Sequence, residues 1–226
     1  YAAINALVAR GRLPLLVGGT GQYVAAVLEG WQIPHVPPQV ELRNTLLAQA
    51  ERDGIAILHQ QLAQIDPEAA AAIDPSNVRR VIRALEVFHV TGQPMSVLQT
   101  RQPPPYRMTT LDLERPRGEL YARIDERVDA MIHSGLIAEV FGLIRSGYSW
   151  ELPAMSSLGY REFARLWAGT AAAPACISQL KFNTHRFARK QGAWFRRLPH
   201  HHELPAGAST LLEQAIALID SKPGPE

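Results

Sequence analysis

Apolar residues recur along this 226-residue chain at helical spacing far more often than at strand spacing. Ile4, Leu7 and Val8 share one face of a short helix over 1–10, with Gly11 as its stop. The run Leu13-Pro14-Leu15-Leu16-Val17 is apolar without alternation, the pattern of a strand covered on both faces in a parallel sheet. Gly18-Gly19-Thr20-Gly21 follows at once, and a helical pattern runs from Tyr23 to Glu29, so the segment reads as strand, glycine loop and helix, the unit of α/β folds. Pro34 to Pro38 forms a stiff boundary. From Gln39 to about Pro104 the pattern is helical throughout. Leu42, Leu46 and Leu47 mark one helix, and Ile55, Leu58 and Leu62 the next. A third starts at Asp74-Pro75 or Asn77, runs to Val90 and stops at Gly92. After a second Pro-rich boundary at Gln102 to Pro105, Arg107 to Leu113 is a candidate strand and His201 to Leu204 a weaker second. Helical patterns cover 119–132, 136–145, 158–167, 176–197 and 209–220.

Two strands and one apolar run are too few to complete a parallel sheet. With a first residue of Tyr1 rather than Met, they predict that the N-terminal part of the α/β domain is absent from this chain. Hydrophobic residues at 46 % exclude wholesale disorder. The single cysteine, Cys176, excludes a disulfide scaffold or a Cys-rich zinc site and reads as a small buried residue. No apolar run approaches the roughly 20 residues of a membrane helix, and no secretory leader is apparent, so a soluble cytoplasmic protein is expected. A net charge of +2 does not by itself announce a nucleic-acid binder. Yet lysine occurs only at 181, 190 and 222, and the other basic residues are all arginine. Codon usage in a GC-rich genome explains that bias; so does recognition of phosphates, which arginine grips in a bidentate fashion.

Four clusters bear on chemistry. A glycine-rich turn feeding a helix, as at Gly18–Gly21, aims backbone N–H groups and a partial positive charge at one spot, though many such turns merely reverse the chain. Thr20 is placed either to cap the helix or to bond a ligand. The loop is not a Walker phosphate loop, because no Gly-Lys pair exists in the chain. Arg79, Arg80 and Arg83 crowd the third helix of the 39–104 stretch, where Glu86 can pair with Arg83 at i+3. Lys181 to Arg197 contains Lys181, Arg186, Arg189, Lys190, Arg196 and Arg197 and no acid, a composition that calls for a polyanion. Phe187, Trp194 and Leu198 are placed to anchor that helix. Arg123 lies four after Glu119 and three before Glu126, so spacing alone favours a salt bridge for it, whereas Arg127 has no acid at those spacings. His200-His201-His202 is a poor metal site, since adjacent residues on an extended segment face opposite ways, and no metal ligand is assigned.

Six blocks, in order and spread over nearly the whole chain, resemble the tRNA dimethylallyltransferase (tRNA isopentenyltransferase, or IPP transferase) family. They are Leu15-Leu16-Val17-Gly18-Gly19-Thr20-Gly21-x-Tyr23; Arg80-Val81-Ile82-Arg83-Ala84-Leu85-Glu86-Val87 with Thr91-Gly92; Leu120-Tyr121-x-Arg123-Ile124-x-x-Arg127-Val128-Asp129-x-Met131; Gly135-Leu136-Ile137-x-Glu139-Val140; Gly159-Tyr160-Arg161-Glu162; and Ala188-Arg189-Lys190-Gln191-x-x-Trp194-Phe195-Arg196. The resemblance implies an α/β fold with a P-loop NTPase-like parallel-sheet core, its N-terminal part missing here. Residues 1–36 and 105–226 would form that partial core with C-terminal helices. Residues 37–104 would be a mostly helical insertion embracing the anticodon stem-loop of tRNA.

The implied reaction moves a dimethylallyl group from dimethylallyl diphosphate to the exocyclic amine of the adenosine beside the anticodon. Mg2+ assists diphosphate departure, and the target base is extruded into a channel. By the resemblance, Thr20 contacts the target adenosine and Arg123 lies near the diphosphate, against the salt bridge that spacing favours. Arg43, Arg79, Arg80, Arg83, Gly159, Tyr160, Arg161, Arg189, Lys190, Gln191, Trp194 and Arg196 fall on tRNA-contacting segments. The family's ATP-type, nucleotide-binding phosphate loop and its general-base aspartate fall upstream of Tyr1, which predicts that this polypeptide alone does not transfer the prenyl group. Arg79, Gln22 and Ala193 stand where Gln, Leu and Thr are common. The family's habit is monomeric. Two other readings stay open: a non-catalytic RNA-binding fragment, and an adenylate isopentenyltransferase acting on free nucleotide.

Overall fold

The computed structural model describes residues 1–198 and 201–221. They gather into two compact units, Tyr1–Val17 with Gln22–Tyr106, and Gly18–Gly21 with the residues from Arg107 onward.

The first unit is helical. It contains α1 (Ala2–Ala9), nearly all of α2 (Gly21–Leu28), α3 (Val40–Asp53), α4 (Ile55–Ile65), α5 (Pro67–Ala72), α6 (Val78–Thr91) and α7 (Met95–Leu98). Its core is the shared apolar face of α3 to α6: Leu46 and Ala50, Leu58 and Leu62, Ala69 and Ala70, and Val81, Ile82, Ala84 and Leu85. The caps explain the helix limits. Asn77 accepts from the Arg80 N–H at the start of α6, and Gly92, left-handed at φ 69°, ends it by returning its N–H to the Phe88 carbonyl. Asp66 caps α5, with Pro67 at the first helical position; its carboxylate also accepts from the Ser96 hydroxyl and N–H, tying α5 to α7.

Leu13–Val17 is not a strand. Leu15, Leu16 and Val17 are 73 %, 59 % and 90 % exposed. A strand needs a neighbour for its N–H and C=O groups, and no described strand pairs with this run. The apolar continuity predicted a strand covered on both faces, and nothing among the described residues covers the segment. Leu47 and Ile55, expected to face inward, are exposed as well.

The second unit is α/β. Its sheet is one parallel pair, β1 (Thr110–Glu114) against β2 (His201–Pro205), in register from Thr110 opposite His201 to Glu114 opposite Pro205. The helices are α8 (Arg117–His133), α9 (Leu136–Arg145), α10 (Ala164–Trp167), α11 (Ala173–Phe195) and α12 (Leu211–Asp220), with 3-10 turns at Pro153–Ser156 and Arg161–Phe163. Val128, Leu136, Val140, Met155, Phe163, Cys176 and Leu180 form the core. The helix expected over 158–167 is only partly realised. Gly159 sits at φ 96°, in the left-handed region that breaks a helix, so the segment turns before α10 begins.

Candidate nucleic-acid interface

In the first unit, the arginines of α6 divide into two kinds. Glu86, fully buried, accepts from the Gln39 N–H at 2.7 Å, from Arg43 Nε and Nη2 at 2.7 and 2.8 Å, and from Arg83 Nη1 at 2.5 Å. Arg83 also reaches the carbonyls of Val36 and Pro34. Burial alone would raise the Glu86 carboxyl, but these charge-assisted bonds overcome it and hold the carboxyl down at about 2. Arg43 and Arg83 therefore clamp the 34–39 entry segment to α6 through one carboxylate. Arg79 and Arg80 are exposed and have no side-chain partner among the described residues, so they are the free cations of this helix.

The second unit brings the glycine loop against the end of α11. Gln191 Nε2 donates to the Gly19 carbonyl at 2.7 Å. A Cβ on Gly19 would lie 2.5 Å from the Gln191 amide, and one on Gly21 only 2.1 Å from the Trp194 ring. The glycines are required by this close approach. Thr20 is exposed and makes no side-chain hydrogen bond among the described residues, so its hydroxyl is not engaged as a cap.

Helix α11 packs along α8 through polar contacts. Lys181 pairs with Asp129 at 2.8 Å. His185 Nε2 lies 2.9 Å from Asp125 Oδ1, off hydrogen-bond geometry, while its ring stacks on Tyr121 with centroids 4.1 Å apart. Arg189 Nη1 donates to the Tyr121 hydroxyl at 2.9 Å. The salt bridge that spacing favoured for Arg123 does not form: Glu119 is taken by Arg115, and Arg123 is exposed without a partner among the described residues. Arg127 is likewise exposed and unpaired there.

Gly159, Tyr160 and Arg161 are held from below. The Glu162 carboxylate accepts from the Gly159 N–H and from Arg161 Nε, both at 2.9 Å, and from Asn183 Nδ2 at 2.8 Å. Burial pushes that carboxyl up, but the bonds outweigh it and leave it below the usual range. Tyr160 donates to Glu139, and that bond raises its phenol. Beside Arg161 opens a cleft of ≈ 490 Å³ whose walls include Ser156, Asn183, Arg186, Phe187 and Lys190. Phe187, expected to anchor α11, is instead 44 % exposed at this cleft; Cys176 and Leu180 anchor the helix. Arg196 is exposed at the end of α11.

The Arg83–Glu86 pair expected from i+3 spacing forms, but the sequence did not show that Glu86 also holds Arg43, nor did it single out Glu162 or the cleft position of Arg186. Glu86 and Glu162 were visible only as acids beside arginines; their burial, which makes them hubs, depends on partners distant in sequence. Among the described residues no group of three or more His, Cys, Asp or Glu converges as a metal site; His200 lies outside the described residues. No helix among them is long and apolar enough to cross a membrane.

A family model described as IPP transferase matches residues 1–198. A tRNA dimethylallyltransferase of Herpetosiphon aurantiacus is 67 % identical over 219 residues, covering 97 % of this chain and 70 % of that protein. Among solved structures, the full-length tRNA isopentenylpyrophosphate transferase from Bacillus halodurans is 34 % identical, with a TM-score of 0.61 over 97 % of this chain and 71 % of that one. A eukaryotic dimethylallyltransferase acting on tRNA shares the fold, with a TM-score of 0.71 at 22 % identity, over 96 % of this chain and 58 % of that one.

Proposed function

The chain belongs to the IPP transferase family, and we propose that it serves transfer of a dimethylallyl group from dimethylallyl diphosphate to the exocyclic amine of the adenosine beside a tRNA anticodon. In that step the C–O bond to the diphosphate breaks, an N–C bond forms, and the amine loses a proton. The observation that carries the proposal is likeness, along nearly the whole chain, to proteins bearing the name tRNA dimethylallyltransferase.

Thr20, with a free hydroxyl on a loop held by Gln191 and Trp194, is assigned to the target adenosine. Arg123, free of Glu119, is assigned to the diphosphate. Arg79, Arg80, Arg161, Lys190 and Arg196 are assigned to tRNA phosphates, for which exposed cations are suited. Arg189, hydrogen-bonded to Tyr121, is a pre-oriented member of that set. Arg43 and Arg83 contribute by fixing α6; Gly159 and Tyr160 contribute by shaping the turn that presents Arg161. Residues 37–104 are assigned the role of embracing the stem-loop, and the parallel pair β1/β2 is assigned to a P-loop-type core.

Mg2+ takes one or two carboxylates plus substrate phosphate oxygens. Mg2+ is proposed to assist diphosphate departure; among the described residues no group of three or more His, Cys, Asp or Glu converges. The protein is proposed to act in the cytoplasm as a monomer.

The test is binding of an anticodon stem-loop RNA to the chain as salt is varied. Contact through free cations predicts that log affinity falls linearly with log salt, by about 0.7–0.9 for each phosphate neutralised. Arg80→Gln and Lys190→Gln should each flatten that slope by about one contact. Salt-independent binding, or none, refutes the RNA role. Prenylation of AMP in preference to tRNA by the protein carrying this sequence would instead identify a free-nucleotide enzyme.

A further inference from the structure

We propose that the cleft beside Arg161 is a subsite for a single unpaired nucleotide of the bound RNA, with the phosphate among Arg161, Arg186 and Lys190 and the base stacked on Phe187. The inference rests on the RNA-binding reading above and concerns a different place from the Thr20 loop.

Three observations converge. The first is charge. Arg186 and Lys190, one helical turn apart on α11, have no side-chain partner among the described residues. Helix α11 carries no acid from end to end, no acid is among the described residues that line the cleft, and Glu162, which holds Arg161 and Asn183, is buried and engaged by Gly159, Arg161 and Asn183. Its bonds use Arg161 Nε, leaving both terminal nitrogens of that guanidinium without a partner among the described residues. Of the three cations at the cleft, Arg161 is ion-paired with Glu162, while Arg186 and Lys190 are answered by no acid among the described residues.

The second observation is preorganisation. One oxygen, Glu162 Oε1, accepts from Arg161 at 2.9 Å and from Asn183 at 2.8 Å. It thereby fixes two residues, from two elements, that line the cleft. A guanidinium held at one nitrogen keeps its fork aimed, and so loses less rotamer freedom when an anion arrives.

The third observation is the aromatic ring. Phe187 leaves 44 % of its surface exposed between two cations rather than entering the core. An aromatic face next to basic groups is how proteins hold unstacked bases, whose π-faces stack while the backbone tracks positive charge. The ≈ 490 Å³ volume lies within the roughly 300–1,000 Å³ of small-ligand pockets and is too small for a duplex. A paired base keeps its faces in its own stack and cannot use the ring. The subsite therefore selects an unpaired nucleotide, with no requirement for a particular base.

The test compares an RNA hairpin with a single-stranded loop against a blunt RNA duplex, each binding to the full chain. The wild-type chain should prefer the hairpin. Phe187→Leu should weaken hairpin binding by about 5- to 100-fold, the range for loss of one stacked base, and leave duplex binding unchanged. Phe187→Trp should restore hairpin binding. Arg186→Gln should lower the salt slope by about one contact on the hairpin. Independently of any variant, 2-aminopurine placed in turn at each loop position should be quenched on binding to the wild-type chain at one position above the rest. If Phe187→Leu binds the hairpin as the wild type does, or if no loop position is quenched, the subsite is refuted while the RNA-binding reading stands. If the wild-type chain binds neither RNA, both fall together.

Discussion

Replacing Glu86 by glutamine keeps the shape of the buried hub and removes its charge. Arg43, Arg83 and the Gln39 N–H all donate to this one group, and a glutamine amide supplies one acceptor oxygen where two were used. The Glu86 carboxyl stands at about 2 against an ordinary 4.5. At ~1.4 kcal/mol per pH unit, that difference is worth on the order of 3 kcal/mol at neutral pH. This agrees with the roughly 3–5 kcal/mol lost when one member of a buried ion pair is removed. The folded value is depressed, so the stabilisation is fully present above pH 4.5 and is lost as pH falls through about 2; near pH 3 less than half of it, roughly 1 kcal/mol, remains. Amide hydrogen exchange of α6 reads the local stability directly. The wild-type chain should exceed Glu86→Gln by about 3 kcal/mol at pH 7, and the gap should narrow by more than half at pH 3. A gap below about 0.5 kcal/mol at pH 7, or one that does not change with pH, would refute the clamp.

Three further outcomes are expected. Gly21→Ala drives a Cβ to 2.1 Å from the Trp194 ring; it should cost about 1–3 kcal/mol and shift tryptophan emission, and Trp194→Leu in the same chain should recover most of the loss, which a pair of additive effects would contradict. Leu58→Ala empties a site with no solvent exposure in the helical unit; exchange of α4 and α6 amides should report a loss of about 2–5 kcal/mol, with amides of α8 and α11 unchanged. Gly92→Ala forces a side chain onto a left-handed residue at φ 69° and should destabilise the end of α6 by about 1–2 kcal/mol, seen as faster exchange confined to its last turn.

Local rules carried much of the fold. Asn77 and Gly92 bracket α6 because a cap and a left-handed stop act within one turn, and both were legible as residue types. The parallel partners β1 and β2 were legible as candidate strands, though their pairing across more than ninety residues was not. Leu13–Val17 misled because composition records what a segment would bury, not whether a neighbour covers it. Helix α5 was missed since Asp66-Pro67 is a start signal in front of an alanine run with no amphipathic stripe. At the interface, the acid-free α11 and the arginines of α6 stood out in sequence. What did not was which arginine is spoken for: Glu119 chose Arg115 over Arg123, and Glu86 reached back to Arg43. Those choices depend on side chains meeting in space, as does the exposure of Phe187, which helical periodicity places as an anchor of α11.

The contact between Gly21 and Trp194 also sets an order on how this protein can change by descent. While the indole is in place, any side chain at position 21 collides with it, so a substitution in the loop arrives in a background that rejects it. A smaller residue at 194 removes the obstruction and leaves position 21 open afterwards. The permitted route runs through the helix first and the loop second, and the glycine of the loop is preserved by a tryptophan encoded near the other end of the described chain.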